Sequence, residues 1–307
     1  MTNPTLPQLD GRPMVTDGGL ETDLIFHQGV DLPEFAAFPL LDSDRGRSLL
    51  TDYYTGYAEI AAAADAGLML EAPTWRASAD WGEKLGYDRD GIRRVNSEAI
   101  GYLRELGRRY AGSVSDIVVC GTVGPRGDGY AAGSRMDPDQ AADYHGWQLA
   151  AFAEAGAECA VAYTLTDQAE AIGIVRAARA VGLPIAVSFT VETDGRLPDG
   201  MPLAAAVDAV DAASPPDYFL VNCAHPSHLE PALDAPGAWR ARVKGLRSNA
   251  SRRSHAELDE AEQLDEGDPA SFGAEHAAVR GALPELTVLG GCCGTDRRHV
   301  ASLWGVG

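Results

Sequence analysis

Three cysteines in the second half of the chain have the residue type and spacing of a metal-binding or nucleophilic site. Cys292 and Cys293 are adjacent in the stretch TVLGGCCGTD at 287–296, and Cys223 lies in VNCAHP at 221–226. Adjacent cysteines point their side chains in different directions and cannot easily form a disulfide without strain. We therefore expect these thiols to act on something other than each other.

The amino-acid composition limits the partners and the cellular location that can be expected for this protein. The 307 residues carry a net charge of −20 and only two lysines, Lys84 and Lys244, which argues against nucleic-acid or anionic-membrane partners. The N-terminal stretch MTNPTLPQLDGRP lacks the basic and apolar regions of a signal peptide, and no apolar run approaches a membrane span. A cytoplasmic location is predicted, where thiols stay reduced and clustered cysteines indicate metal binding or catalysis.

Eight short apolar runs alternate with helical segments along nearly the whole chain. Each run is apolar on both faces, as a strand of a buried parallel sheet must be. This alternation predicts an α/β fold, a (β/α)8 TIM barrel in a single domain spanning 1–307. A doubly wound open sheet is the alternative, but no G-x-G-x-x-G follows the first strand. The predicted strands cover 14–19, 67–75, 116–125, 159–166, 184–192, 218–226, 243–251 and 286–294.

The segments between these strands have helix-capping residues. Helices are expected within 52–67, 137–157 and 167–182, beginning at Asp or Ser/Thr and ending at Gly67, Gly156 and Gly182. The segment 251–270, SRRSHAELDEAEQLDEGDPA, is highly charged and lacks apolar periodicity, so it is expected to be a long solvated loop.

Barrel enzymes keep their chemistry at the carboxyl ends of the strands, and those ends are rich in polar residues here. Closure of the barrel would bring the sixth and eighth strands to the same mouth, where Cys223, Cys292 and Cys293 would converge. Three thiolates on rigid strand ends suit Zn²⁺ with one position left open, to which a thiol substrate could bind as the reactive thiolate. The other strand-end residues are Asp17, Gly18, Gly19, Glu71, Thr74, Trp75, Gly124, Pro125, Arg126, Tyr163, Thr164, Glu192, Asn222, His225 and Asn249.

Other candidate groups have simpler interpretations. Cys120 and Cys159 lie within predicted strands and are expected to be small buried hydrophobes. His225 and His228 follow Cys223 closely and could complete a Cys/His zinc set, but a helix cap or a rim position is favoured for His225. The spacing of Glu71 and Glu192 in the sequence does not indicate a role for either residue.

The motifs of the chain resemble those of the homocysteine S-methyltransferase family, zinc-dependent barrels that include the betaine and S-methylmethionine enzymes. The resemblance runs from about residue 14 to residue 304. It is carried by TDGGLETDL, GVDLPEFAAFPLL, GTVGPRGDGY, VSFTVETDGRLPDGMPL, VNCAHPSHL and GGCCGTDRRHV.

The resemblance implies a chemistry and roles for particular residues. Cys223, Cys292 and Cys293 would bind zinc, Asp17 and Gly18 would help to hold the amino-acid part of a thiol substrate, and Asn222 would support the strand that carries Cys223. The reaction would be attack of a zinc-activated thiolate on the methyl group of a small onium donor. Homocysteine would be the leading acceptor and methionine the product. The donor stays open among S-methylmethionine, S-adenosylmethionine and betaine.

Two motifs depart from the family pattern. Tyr163 stands in AYTLTDQAEA where the family usually has a glutamate that binds the substrate ammonium, and a phenol supplies no such charge at pH 7. Either another carboxylate, such as Glu21 or Glu71, binds the ammonium, or the acceptor is another thiol or a selenol. The strand-seven run SNAS, which includes Asn249, lacks the family's proline before the asparagine and so alters the expected donor pocket.

Two further classes of protein compete with a methyltransferase. A non-catalytic zinc- or thiol-binding protein would retain the site without turnover. A zinc hydrolase is disfavoured, because three anionic sulfurs already neutralise the ion and make its bound water a weaker acid.

Overall fold

Eight short strands follow one another around a closed parallel barrel in this computed structural model, which describes residues 6–130 and 135–306. Each strand pairs in parallel with the next, and β8 closes the barrel on β1 through the pairs Met14–Val288 and Val15–Leu289. The strands are β1 Met14–Val15, β2 Gly67–Glu71, β3 Ile117–Val123, β4 Cys159–Leu165, β5 Ile185–Phe189, β6 Tyr218–Asn222, β7 Val243–Ser248 and β8 Val288–Gly291. The predicted (β/α)8 barrel is confirmed.

Eight longer helices in the described part of the chain surround this barrel. They are α1 Asp44–Ala63, α2 Arg89–Tyr110, α3 Pro138–Ala155, α4 Gln168–Ala180, α5 Leu203–Ala213, α6 Pro226–Leu233, α7 Pro269–Ala282 and α8 Arg297–Trp304. Shorter α-helical turns cover Leu20–Thr22, Ala79–Lys84, Trp239–Arg242 and His255–Asp259. The short helical segments Pro7–Asp10, Asp23–His27, Pro33–Phe35 and Phe38–Asp42 complete the helical structure.

The capping residues of these helices behave largely as predicted. Asp137 forms a capping box with Gln140 at the start of α3, and Gly156 ends that helix with φ 84°. Asp167 caps α4 by accepting from the backbone of Ala169 and Glu170. The prediction for 52–67 was wrong at both ends, because α1 begins at Asp44 with Ser43 as its cap and ends at Ala63, and Gly67 is the first residue of β2. A Cβ at Gly67 would overlap the sulfur of Met14, so a larger residue here would require the Met14 side chain to move.

The interior of the barrel is filled by apolar side chains below the mouth. Cys120 and Cys159 face each other on the paired strands β3 and β4, and both are buried. The short helix Pro7–Asp10 closes this end of the barrel, where Gln8 donates to the hydroxyl of Tyr218 over 3.2 Å. Cys120 and Cys159 are therefore buried core residues, as the sequence predicted.

The segment 251–270 is more ordered than the predicted solvated loop. Most of its side chains are exposed, but a capping box between Ser254 and Glu257 starts the helical turn His255–Asp259. His255 and Ser251 are buried, so part of the segment packs against the barrel mouth. Charge composition alone could not show that two of its polar residues have buried partners.

Some predictions concern parts of the chain that the structure does not test. Residues 1–5, the start of the stretch expected to lack a signal peptide, lie outside the described residues, as do 131–134 and 307. The assignment of 1–307 to one domain therefore stays a prediction. Within residues 6–130 and 135–306, none of the helices combines the length and apolar character needed to cross a membrane.

Candidate active site

The three cysteines singled out in the sequence meet at the mouth of the barrel. Cys223 directly follows β6, and Cys292 and Cys293 directly follow β8. The Sγ atom of Cys223 lies 3.1 Å from that of Cys292 and 3.5 Å from that of Cys293. All three sulfurs lie within 4.8 Å of one another. They form one cluster, which we call the cysteine centre.

The backbone at Cys223 is held in an uncommon conformation. Its φ of 55° lies in the left-handed region, which non-glycine residues adopt only where their surroundings enforce it. The carbonyl of Cys223 accepts hydrogen bonds from Asn249 Nδ2 at 3.0 Å and Thr190 Oγ1 at 3.3 Å, and it lies 2.8 Å from His255 Nε2. These contacts fix the turn that directs the thiol towards the two cysteines on β8.

The cysteine centre has the donor set of a metal site. A tetrahedral zinc ion with bonds of about 2.3 Å to sulfur separates its sulfur ligands by roughly 3.8 Å. The observed separations require only small adjustments to reach that value. Hydrogen bonding to Cys223 and Cys293, aided by the charge of Arg247, holds the pKa of Cys292 well below that of a free thiol. The cluster therefore favours one anionic sulfur, on Cys292, and the thiolate is the form that binds metals. The pKa values of Cys223 and Cys293 are raised, by hydrogen bonding to Cys292 and by burial.

A tyrosine that sequence analysis did not single out covers the cysteine centre. The Tyr130 hydroxyl lies 3.3 Å from the Sγ atoms of both Cys223 and Cys293. Its ring stacks on the imidazole of His255, with centroids 4.3 Å apart and planes 11° apart. Two distant segments, the loop after β3 and the turn after β7, thus meet over the sulfurs. Only tertiary structure brings them together, and no local pattern could have indicated it.

Asn222, at the end of β6, connects β4, β5 and the cysteine centre. Its Oδ1 accepts from the Thr164 backbone at 2.9 Å and from Ser188 Oγ at 2.6 Å. Its Nδ2 donates to Thr164 Oγ1 at 2.8 Å and lies 3.8 Å from Cys292 Sγ. Thr164 has a φ of 61°, so Asn222 stabilises a second strained strand end. The supporting role that the resemblance implied for Asn222 stays a prediction.

A buried arginine on β7, also absent from the sequence-based candidates, organises the acidic residues at the mouth. Arg247 Nη1 donates to Glu71 Oε2 at 2.5 Å, and Nη2 donates to Asp17 Oδ1. The other oxygen of Glu71 accepts a short hydrogen bond from the Tyr163 hydroxyl. Arg247 also donates to the carbonyls of Gly18 and Gly291. We call Asp17, Glu71, Tyr163 and Arg247 the mouth network.

Burial dominates the electrostatics of the mouth network. It raises the pKa of Asp17 to about 7 even though Arg247 lies beside the carboxylate. The pKa of Glu71 is also raised, mainly by burial, while Arg247 and Tyr163 act in the opposite direction. Burial together with the charge of Glu71 keeps the pKa of Tyr163 well above its usual value, so Tyr163 is a neutral donor. Tyr163 therefore donates a hydrogen bond to the carboxylate of Glu71 and carries no negative charge of its own.

The remaining predicted residues lie at different distances from the cysteine centre. Glu21 lines the same cavity, and burial raises its pKa to about 7. Gly18 leaves no room for a side chain, because a Cβ there would lie 2.6 Å from the Tyr57 hydroxyl. Asn249 lies behind Cys223 and donates a hydrogen bond to the carbonyl of Cys223. Glu192 is 2.9 Å from His255 Nδ1, which gives this glutamate an orienting role.

The histidines close to Cys223 in sequence do not join the cysteine centre. His225 caps α6 through the backbone of Ser227, and its Nε2 lies 2.8 Å from Glu275. His228 Nε2 lies 3.0 Å from the carbonyl of Arg252. The capping interpretation of His225 is confirmed.

The cysteine centre and the mouth network share one cavity of about 330 Å³. Its lining includes Cys223, Cys292 and Cys293, all four members of the mouth network, and Asn222, Gly18 and Glu21. The cavity therefore brings the predicted residues together, except for Asn249. The fold and the site define a (β/α)8 barrel with a three-thiol centre at the end where barrel enzymes carry out their chemistry.

Comparison with known proteins identifies the family. The family model described as homocysteine S-methyltransferase matches residues 14–304, so the chain belongs to the homocysteine S-methyltransferase family. We conclude that it is a methyltransferase, which sets aside the zinc hydrolase. No curated protein sequence matches the chain.

Solved structures share the fold. The homocysteine methyltransferase MmuM from Escherichia coli superimposes in its metallated form with a TM-score of 0.72, at 19% sequence identity over 96% of both chains. Its oxidized form gives a TM-score of 0.73, at 20% identity over 95% of both chains. At this level of identity the similarity concerns the barrel architecture.

Proposed function

We propose that this protein is a zinc-dependent S-methyltransferase that moves a methyl group from a small onium donor to a thiol, with homocysteine as the leading acceptor. The observation that carries the proposal is the convergence of Cys223, Cys292 and Cys293 in one cavity at the mouth of the barrel. The free thiols and the acidic composition fit a cytoplasmic enzyme with small-molecule substrates.

The residues of the cysteine centre fit zinc in number, type and spacing. When bound, zinc would lower the pKa of a coordinating substrate thiol, so that the nucleophilic thiolate is present at neutral pH. The protein supplies the orientation: Asn249, Thr190 and His255 hold the turn at Cys223, and Asn222 holds the neighbouring strand ends. Preorganisation of this kind lowers the entropic cost of bringing donor and acceptor together.

The polar head of the acceptor would lie along β1 and β2. Arg247 already engages both Asp17 and Glu71. For homocysteine, Glu21 is then the carboxylate best placed to receive the ammonium group, because it lines the cavity beside the same strands. A substrate cation would favour the ionised form of Glu21, whose pKa is about 7 without it.

A second acceptor class is supported by the mouth network. The family's ammonium-binding glutamate is replaced by Tyr163, and Tyr163 together with Arg247 occupies both oxygens of Glu71. A thiol or selenol that is less like an amino acid would not need an ammonium site. Such an acceptor is the alternative to homocysteine within the same reaction class.

Methyl transfer to a panel of acceptors tests both alternatives. The zinc-loaded protein is incubated with S-methylmethionine, S-adenosylmethionine or betaine and with homocysteine, cysteine, selenohomocysteine or simple mercaptans, and methylated products are quantified by mass spectrometry. Transfer to homocysteine supports the leading proposal, and transfer only to thiols without an α-ammonium group supports the alternative. No transfer to any acceptor by fully metallated protein would refute the proposed function. Cys293→Ser is the matched inactive control.

A further inference from the structure

Arg76, which follows β2, has a guanidinium group enclosed by aromatic rings in the cavity that holds the cysteine centre. Its carbon Cζ lies 4.3 Å from the ring centroid of Trp75 and 3.6 Å from that of Trp81. Arg76 is only 9% exposed and lines the cavity. Because indole rings lie against the guanidinium, a polar ligand would reach it through its in-plane N–H edges.

One of those edges lacks a partner among the described residues. Nη1 of Arg76 donates to the carbonyl of Gly127 at 3.2 Å, whereas Nε is buried and has no hydrogen-bond acceptor. A buried donor without an acceptor costs free energy that a ligand can recover. Burial also lowers the pKa of Arg76, while the charges of Asp128 and Glu21 partly oppose that effect. The unpartnered Nε shows that the guanidinium has a donor that an anionic ligand could use.

The other basic residue in the cavity lining cannot serve this purpose. Among the described residues that line the cavity, the basic ones are Arg76 and Arg247. Arg247 directs Nε to the Gly291 carbonyl, Nη1 to Glu71 and Nη2 to Asp17, so each of its nitrogens has a protein acceptor. Of these two arginines, Arg76 is therefore the one with an N–H group that has no acceptor.

We propose that Arg76 binds a substrate carboxylate through its Nε edge and so selects carboxylate-bearing substrates for this cavity. The Nε and Nη2 hydrogens are parallel and match the two oxygens of a carboxylate. The assignment of this ligand to a methyl acceptor or donor rests on the proposed function, but the binding itself does not. Both an amino-acid thiol and an onium donor such as S-methylmethionine carry the required group.

Pairs of ligands that differ only in the carboxylate test the proposal. For the acceptor the pair is L-homocysteine and 3-mercaptopropylamine, and for the donor it is S-methylmethionine and (3-aminopropyl)dimethylsulfonium. Dissociation constants are measured by calorimetry, without turnover, on the zinc-loaded full-length wild type, Arg76→Gln and Arg76→Lys. Arg109→Gln, at a surface arginine whose side chain is 58% exposed, is the matched control.

In the wild type and in the control variant, we expect the carboxylate member of at least one pair to bind about tenfold to hundredfold more tightly. Arg76→Gln should remove this preference and leave the affinity of the decarboxylated member nearly unchanged. Arg76→Lys keeps the charge without the planar edge and should retain part of the preference. The pair that loses its preference identifies the acceptor or the donor as the source of the carboxylate.

Three results would overturn the proposal: no carboxylate preference in the wild type, an unchanged preference in Arg76→Gln, or equal weakening of both members of a pair. Equal weakening would indicate that Arg76 only maintains the shape of the cavity. If Arg76→Gln fails to fold, as judged by its thermal unfolding, Arg76→Lys decides by the same criteria. The protein could show a carboxylate preference that depends on Arg76 and yet transfer no methyl group. That result would support the Arg76 site and reject only the proposed function.

Discussion

Replacement of Tyr163 by phenylalanine tests whether its hydroxyl is a structural donor to the mouth network. Tyr163 donates to one oxygen of Glu71, while Arg247 binds the other. A hydrogen bond to a charged group contributes about 1.5–3 kcal/mol to stability, compared with about 0.5–1.5 kcal/mol between neutral groups. We therefore expect Tyr163→Phe to lower the free energy of unfolding by about 1.5–3 kcal/mol at pH 7.5.

Urea unfolding followed by circular dichroism measures this loss. The matched control is Tyr102→Phe, because the Tyr102 hydroxyl is half-buried and bonds to the neutral groups of Thr51 and the Arg47 backbone. Its loss should be about 1 kcal/mol or less. Equal losses in the two variants would refute the charge-assisted role of Tyr163.

Replacement of Tyr163 by glutamate extends this test to acceptor specificity. The family resemblance alone suggests that Tyr163→Glu should raise homocysteine turnover. The structure predicts instead that a new carboxylate would lie beside Glu71, where two charges about 4 Å apart repel by on the order of 4 kcal/mol at an effective dielectric constant of 20. The single variant should therefore be strongly destabilised.

The double variant Tyr163→Glu/Glu71→Gln restores the number of carboxylates and separates specificity from stability. We expect it to be more stable than Tyr163→Glu and to show a higher kcat/KM for homocysteine than the wild type. A stable single variant with unchanged turnover would contradict both the electrostatic reasoning and the assignment of Tyr163 as the specificity position.

Three further predictions address the cysteine centre and the buried carboxylates. Cys223→Ser should reduce zinc content from about one ion per chain to a small fraction, measured by mass spectrometry of the metal, because one of three thiolate donors is lost; full retention would contradict the ligand assignment. In zinc-free protein, Tyr130→Phe should increase the rate of Cys223 and Cys293 alkylation by iodoacetamide severalfold, since the phenol covers both sulfurs; an equal or slower rate would contradict this. The stability of zinc-free protein should contain a contribution that falls as pH rises from about 4 to 7. Burial raises the pKa of Asp17 from 3.8 to about 7, so the folded chain retains a proton that the unfolded chain releases. Asp17→Asn should remove this contribution, and an identical pH profile in that variant would contradict the assignment.

The sequence was sufficient to predict the barrel and the cysteine centre because both follow from strong local patterns. Apolar runs with polar ends mark the eight strands, and parallel closure brings Cys223 to the same mouth as Cys292 and Cys293. The capping residues Asp137 and Gly156 likewise act within a few residues of themselves.

Tyr130, Arg76 and Arg247 were missed for a different physical reason. Tyr130 and Arg247 gain their roles from groups distant in sequence: Tyr130 from sulfurs 93 and 163 residues away, and Arg247 from carboxylates 176 and 230 residues away. Arg76 stacks on the nearby Trp75 and Trp81, but only the fold places it in the cavity of the cysteine centre. An arginine at the end of an apolar strand gives no local indication of its partners. The replacement of the family glutamate by Tyr163 was visible in the sequence, but its consequence depended on Arg247.

Zinc-edge X-ray absorption on the purified protein, with and without added L-homocysteine, shows directly whether the cysteine centre holds zinc and whether a substrate thiol joins it. We expect three sulfurs and one lighter atom around zinc in the resting protein, and four sulfurs after homocysteine is added. Three sulfurs in both samples would retain the zinc site and reject homocysteine as the acceptor. Fewer than three sulfurs in the resting protein would contradict the assignment of Cys223, Cys292 and Cys293 as the metal centre.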